Sequence, residues 1–94
     1  MSAIDSFEKA LLLLDRGDIV RGEQILREVI TSTEQNRDML HYRACCCLGE
    51  LLVELSRSEE ALPLLERVAT LEADKVYDDV LDFEIKKARK LLNM

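Results

Sequence analysis

The sequence predicts an all-α protein made of antiparallel helical hairpins followed by a C-terminal capping helix. Hydrophobic residues make up 48% of the chain, yet it contains one proline, three glycines and only 4% aromatic residues. This composition is typical of packed helices and not of strands joined by tight turns. Apolar residues also recur at helical spacing along most of the 94 positions. A chain of this length predicts one domain, residues 1–94, with modest stability.

The first two predicted helices form a hairpin. Helix one runs from about Ser2 to Asp15 and ends before Gly17, a residue that can adopt the left-handed conformation at a helix C-terminus. Asp18 can then cap helix two, because its carboxylate can accept a hydrogen bond from a free backbone N–H group. Helix two frays at residues 31–33. Its apolar side consists of Ile19, Gly22, Leu26, Val29 and Ile30.

The next two predicted helices form a second hairpin. Helix three is the longest, from about Gln35 to Leu55. Ser58, followed by two glutamates, predicts the start of helix four, because a serine hydroxyl caps free N–H groups and carboxylates favour the positive end of the helix dipole. Pro63 falls just past the first turn, where a slight kink is expected.

Helix five, from about Lys75 to Leu92, has an unusually wide apolar side. Val76, Val80 and Phe83 extend that side to roughly 200° of the helix circumference, whereas a terminal helix packed on one face needs about half of it. We expect these three residues to meet a second subunit or another protein. The alternative is that Val76 and Phe83 pack under the N-terminal end of helix three.

Charge and cysteine content narrow the class of partner and the compartment. The formal net charge of −6 argues against nucleic acid and anionic membrane, because both require a basic face. The N-terminus lacks a secretory signal pattern, and the longest apolar run, Ala10 to Leu14, is too short to span a bilayer. Cys45, Cys46 and Cys47 are consecutive and cannot pair with one another, which favours the reducing cytoplasm.

The sequence offers little for catalysis, so we expect no enzyme activity and no cofactor. His41 is the only histidine, and no nucleophile elbow, phosphate-binding loop or paired zinc-ligand motif is present. His41 and Cys45 can face the same way on a helix, but two ligands are too few for a metal site. Among the cysteines, Cys46 is expected to react most readily with a thiol reagent.

Two stretches of the chain share a spacing of small and large apolar residues. The first contains Leu13, Gly17, Gly22, Leu26 and Val29, and the second contains Leu48, Gly49, Leu52, Ala61, Leu65 and Val68. The spacing resembles the tetratricopeptide repeat, in which small residues lie where two antiparallel helices cross closely.

The match to this family covers helices one to four and has three departures from the family pattern. Cys45 and Leu52 replace aromatic residues, and Ala73 replaces the closing proline. The copies also lie 39 residues apart, from Gly22 to Ala61, against the family's usual length of about 34. The first inter-helix loop or the third helix is therefore expected to be longer than standard.

The resemblance implies an inner groove that binds a protein partner. In the second copy its lining would be Arg43, Cys46, Glu50 and Val53. In the first copy it would be Ile4, Phe7, Leu11 and Leu14, so an apolar groove could receive a helix of the partner. The preferred alternative is that this apolar stripe is ordinary core facing helix two, because amphipathic stripes usually face a core.

These observations favour a protein-binding module, a scaffold or chaperone-like subunit that shields an apolar or basic segment of another protein. Small acidic helical-repeat chaperones of bacterial secretion systems are similar in size, charge and repeat. An immunity or inhibitor protein that neutralises a basic toxin is an alternative suggested by charge. A regulatory subunit of a larger assembly is another, and a homodimer or hetero-oligomer is compatible with each of them.

Overall fold

The computed structural model describes residues 2–71 and 81–93. These residues contain five α-helices and no strand. Their bounds are α1 (Ala3–Asp15), α2 (Ile19–Ser32), α3 (Met39–Glu54), α4 (Ser58–Ala69) and α5 (Asp82–Leu91).

The helices are arranged as two hairpins and a C-terminal helix, which confirms the predicted all-α architecture. Helix α1 packs principally against α2, and α3 packs against α4. Helix α2 also contacts α3, while α5 covers both α3 and α4. The odd-numbered helices α3 and α5 are therefore neighbours on one side of the molecule.

The turns inside the two hairpins have the same geometry. Each turn has three residues, 16–18 and 55–57, and each has a central residue with positive φ, Gly17 at 86° and Ser56 at 61°. In the first turn Asp18 donates its backbone N–H to the carbonyl oxygen of Leu13 at 2.8 Å. In the second, Arg57 donates to the carbonyl oxygen of Leu52 at 2.7 Å. These bonds satisfy carbonyl groups that the helix ends leave free.

The starts of α2 and α4 agree with the sequence prediction, and the start of α3 differs, although the residue that caps α4 is not the predicted one. Asp18 caps α2 as predicted, since its carboxylate accepts the N–H of Arg21 at 3.3 Å. The predicted cap at Ser58 is wrong, because Ser58 is the first residue of α4 and Arg57 takes the cap position without a side-chain hydrogen bond.

The predicted start of helix three at Gln35 is also wrong. Helix α3 begins at Met39, because the carboxylate of Asp38 caps it by accepting the N–H of His41 at 3.1 Å. The turns 16–18 and 55–57 are equally short, whereas the connection 33–38 has six residues and α3, with 16 residues, is the longest described helix, so the added length between the two copies lies in that connection and in α3. The predicted beginning of helix five, residues 75–80, lies outside the described residues. Within them α5 starts at Asp82, after the cap residue Leu81.

Small residues allow close helix packing inside each hairpin. Ala10 and Ala61 are completely buried. A Cβ atom added to Gly22 would lie 2.5 Å from Leu14 Cδ2, and one added to Gly49 would lie 2.6 Å from Leu65 Cδ2. Around these crossings lies a continuous core, and its largest fully buried apolar side chains are Leu26, Val29, Leu48, Leu52, Leu65, Val68 and Leu81.

Candidate protein-binding groove

Helices α1, α3 and α5 line a groove of about 230 Å³. Helix α1 forms one wall, α5 forms the other, and α3 forms the floor. We refer to it as the α1/α3/α5 groove. Its lining residues are Phe7, Leu11, Arg43, Cys46, Cys47, Glu50, Phe83, Glu84 and Lys87.

The groove brings together residues that the sequence analysis selected on three separate helices. Six of the predicted partner-binding residues line it: Phe7, Leu11, Arg43, Cys46, Glu50 and Phe83.

The remaining predicted residues are not among the groove lining. Ile4 lies on α1 and is 58% exposed, and Leu14 packs partly buried against the core. Val53 also packs partly buried against the core. Val76 and Val80 lie outside the described residues.

The apolar stripe of α1 divides between the core and the surface. Phe7 and Leu14 pack against the core, as the preferred interpretation required. Ile4 and Leu11 do not follow that interpretation, because they remain 58% and 42% exposed. The buried positions of α1 are instead Ala10 and Leu13, which face the second helix of the hairpin.

Phe83 places an exposed aromatic ring on the α5 wall. Its side chain is 68% exposed, so it does not pack under α3 as the alternative interpretation proposed. Across the groove, Leu11 and the half-buried Phe7 supply apolar surface from α1. An apolar side chain that entered the groove would therefore contact both walls.

One end of the groove is closed by an ion pair between its floor and its α5 wall. Lys87 Nζ bonds Glu50 Oε2, and this contact raises the pKa of the Lys87 ammonium group above its usual value. The same ammonium group lies 5.2 Å from the centroid of the Phe83 ring, within the range of a cation–π contact. Lys87 thus fixes α5 beside α3 and orients the exposed ring.

Two other charged groups in the groove have no partner in the part of the chain that the structure describes. Arg43 makes no ion pair or hydrogen bond among the described residues, although it lines the groove. Glu84 Oε1 is buried and has no hydrogen-bond partner there. A buried carboxylate oxygen without a donor is unfavourable, because it has lost water and gained nothing in exchange.

The cysteines contribute to the floor but not as the sequence suggested. Cys46 is only 4% exposed, its sulfur lies 3.7 Å from the carbonyl oxygen of Glu84, and burial raises the pKa of its thiol to about 12. Cys47 is half-buried, and burial raises its pKa to about 11. The prediction that Cys46 is the most reactive thiol is therefore wrong, because α5 covers it and leaves Cys47 more accessible.

His41 and Cys45 lie together, as their spacing predicted, inside a buried polar cluster away from the groove lining. His41 Nδ1 is 2.8 Å from Thr33 Oγ1, and Nε2 is 3.2 Å from Arg67 Nη1 and 3.7 Å from the Cys45 sulfur. Because the guanidinium group can only donate, Nε2 acts as an acceptor and Nδ1 carries the proton. The described residues hold no group of three potential metal ligands.

Sequence reasoning missed three groove residues, Cys47, Glu84 and Lys87. Cys47 lies one helical turn after Arg43, and Lys87 lies one turn after Phe83, so helical spacing from residues already selected would have found both. Glu84 lies four residues after Val80, so the same spacing along the predicted helix five reaches it, but the burial of its carboxylate oxygen depends on how α5 lies against α3.

The chain matches no protein-family model, curated protein or solved structure. Across the described ranges, none of the helices combines the length and apolar character that crossing a membrane requires.

Proposed function

We propose that this protein is a non-enzymatic binding module that holds a segment of another protein in the α1/α3/α5 groove. The observation that carries the proposal is the pair of exposed apolar residues on the two walls, Leu11 on α1 and Phe83 on α5, beside a floor on which Arg43 has no ion pair among the described residues. Such a surface is suited to covering apolar side chains of a polypeptide. Among the described residues neither groove thiol, Cys46 or Cys47, bonds a side chain that could act as its base.

The family proposal is a tetratricopeptide-like repeat. It is supported by the two equivalent turns at Gly17 and Ser56 and by small residues at the helix crossings. The narrower proposal is a cytoplasmic chaperone similar to those of bacterial type III secretion, which keep a self-associating subunit soluble. Its support is small size, negative charge and an exposed apolar groove.

Affinity purification from the native cell, followed by mass spectrometry, tests the proposal when it is combined with groove variants. We expect Phe83→Glu and Leu11→Glu each to lose the partner that the unaltered chain captures, because a carboxylate would be desolvated against apolar side chains. The positions are exposed, so circular dichroism should show unchanged helix content.

Val20→Glu is the matched control, because Val20 is an apolar residue on α2 that is 78% exposed and does not line the groove. This variant should capture the partner as well as the unaltered chain does. Retention of every partner by both groove variants would contradict the proposal, as would an equal loss in the control.

An inhibitor of a basic toxin is a second candidate, favoured by the net charge of −6. The two functions differ in their response to salt. Binding driven by opposite charges should lose association rate steeply as ionic strength rises, whereas binding in an apolar groove should change little. Stopped-flow association with the captured partner distinguishes them.

A further inference from the structure

We infer that the segment held in the groove is amphipathic and carries a basic side chain for Glu84 and an acidic side chain for Arg43, beside an apolar anchor. The inference rests on the proposed function and specifies the chemistry of its partner. It follows from which charges in the groove are already satisfied and which are not.

Glu84 requires a donor that the described residues do not supply. Its Oε1 atom is buried without a partner. Glu84 is the third residue of α5, a position from which a glutamate can accept the backbone N–H of the cap residue. No such bond forms among the described residues, so helix capping does not account for this carboxylate. A lysine or arginine of the partner would supply the donor and the opposite charge.

Arg43 requires an acceptor. It is half-buried on the floor of the groove, yet it has no carboxylate within ion-pair distance among the described residues. Three other arginines, Arg27, Arg57 and Arg67, each bond a glutamate. A guanidinium group is suited to two parallel bonds with a carboxylate.

The unsatisfied charges lie toward one end of the groove. Glu84 is next to Cys46, and Lys87 bonds Glu50, so α5 runs alongside α3 in the same direction. The pair at Lys87 therefore closes one end. Arg43 lies a helical turn before Cys46, at the opposite end of the floor. A segment bound in the groove must therefore contact Glu84 and Arg43 toward the end opposite the Lys87–Glu50 pair. Its apolar side chain would lie between Leu11 and Phe83.

Four amidated synthetic peptides test the inference. They share one scaffold with a leucine anchor and carry beside it a lysine, a glutamate, both residues, or neither. The peptide with both charges should bind tightest, and each charge should improve the dissociation constant roughly tenfold, as expected for hydrogen bonds to charged groups. Isothermal titration calorimetry gives the four constants.

Variants of the two groove charges connect the preferences to specific residues. Glu84→Gln should abolish the preference for lysine and keep the preference for glutamate, and Arg43→Gln should do the reverse. Glu59→Gln and Arg16→Gln remove the same kinds of charge at exposed positions outside the groove, so both preferences should remain.

Other outcomes overturn the inference in distinguishable ways. Equal binding of all four peptides, lost in Phe83→Glu, would contradict the charge pairing and leave the apolar groove of the proposed function standing. If none of the four binds, the inference is wrong, and the proposed function is then judged by its own capture experiment. A dimer of the free chain that Phe83→Glu dissociates in sedimentation would show that a second copy occupies the groove instead.

Discussion

Gly22 and Gly49 both allow close helix packing, but the side chains that oppose them differ in freedom. Leu14, opposite Gly22, is only partly buried, whereas Leu65, opposite Gly49, is 1% exposed in the core. Alanine gains about 1 kcal/mol over glycine in a helix, while overpacking a core costs about 1–3 kcal/mol. The net effect of an alanine substitution on stability therefore depends on whether the opposing leucine can move.

We expect Gly49→Ala to destabilise the protein by about 1–2 kcal/mol, because Leu65 cannot yield without displacing the core. Gly22→Ala should change stability by less than about 0.5 kcal/mol, because rotation of Leu14 relieves the contact and helix propensity offsets the remainder. Urea denaturation of both variants measures the difference. Equal destabilisation would mean that the two crossings are packed alike.

Substitutions of the central residues of the two hairpin turns should have opposite effects on stability. A residue with a side chain in the left-handed region costs about 1–2 kcal/mol relative to glycine. Ser56→Gly should therefore stabilise the protein by about 1 kcal/mol, and Gly17→Ala should destabilise it by a similar amount. Thermal unfolding of both variants checks the signs. Destabilisation by Ser56→Gly would show that its hydroxyl has a compensating role.

His41 predicts a specific dependence of stability on pH. Burial lowers its pKa below the unfolded value of 6.5, and the nearby Glu34 only partly opposes this effect. Below pH 6.5 the unfolded chain thus binds more protons than the folded one. The free energy of unfolding should be insensitive to this residue above that pH and should fall as pH drops from there toward the folded pKa.

His41→Gln should remove this part of the pH dependence, although it also lowers stability by disturbing the bond to Thr33. Denaturation at pH values from about 7 down to 5 measures the slope, in the range where histidine titrates. Glu23, Glu34 and Glu60 have pKa values lowered from 4.5, so their effect begins only in more acidic solution. An unchanged slope in the variant would exclude His41 as its source.

Arg57 connects elements of the two hairpins. Its guanidinium group forms two parallel bonds, of 2.8 and 2.9 Å, with Glu23 on α2 and also bonds Glu60 on α4. The bonds from Arg57 are the largest cause of the lowered pKa of Glu23. The contact therefore holds α2 against the start of α4 only while the carboxylates are ionised.

Arg57→Gln should lower the free energy of unfolding at neutral pH. The deficit should shrink in acid, because a carboxylate with a lowered pKa stabilises the fold above its unfolded pKa and loses that effect as pH falls through the folded pKa. Arg21→Gln is the control, since among the described residues Arg21 pairs with Asp18 alone, at a side-chain exposure of 62%. A constant deficit at every pH would indicate lost packing instead of lost charge pairing.

Local signals in the sequence predicted some helix ends and not others. Gly17 and Asp18 act through their own backbone and side chain, so their roles were readable in advance. The start of α3 was not, because Asp38 competes as a cap with several earlier polar residues. The cap position of α4 was not predicted either, because Arg57 occupies it without a side-chain cap bond and instead bonds Glu23 on another helix.

At the scale of the molecule, the wall of the groove formed by α5 depends on Leu81, which is completely buried. Leu81→Ala should destabilise the protein by about 2–4 kcal/mol, the usual result of a core cavity. That is a large share of the stability of a small domain. Leu62→Ala, at a position 45% exposed on α4, should change stability by no more than about 0.5 kcal/mol. Chemical denaturation compares the two.

Several residues of the candidate site could be predicted on each helix separately, but the way in which the helices combine into one surface could not. The family register selected Leu11 and Arg43, helical periodicity selected Phe83, and all three line the groove. Neither could show that the Oε1 atom of Glu84 is buried without a hydrogen-bond partner among the described residues, because that depends on the approach of α5 to α3. The interpretation of the apolar stripe of α1 as core is wrong for Ile4 and Leu11, because Ala10 and Leu13 are the buried residues of this helix.

The two sides of the groove are supported unequally. Helix α5 is anchored by Leu81 and by the bond between Lys87 and Glu50, whereas α1 rests principally on α2. A small rotation of the first hairpin would widen or narrow the opening without breaking the packing of α3, α4 and α5. With the α5 wall fixed and the α1 wall able to shift, the groove could bind segments of different thickness.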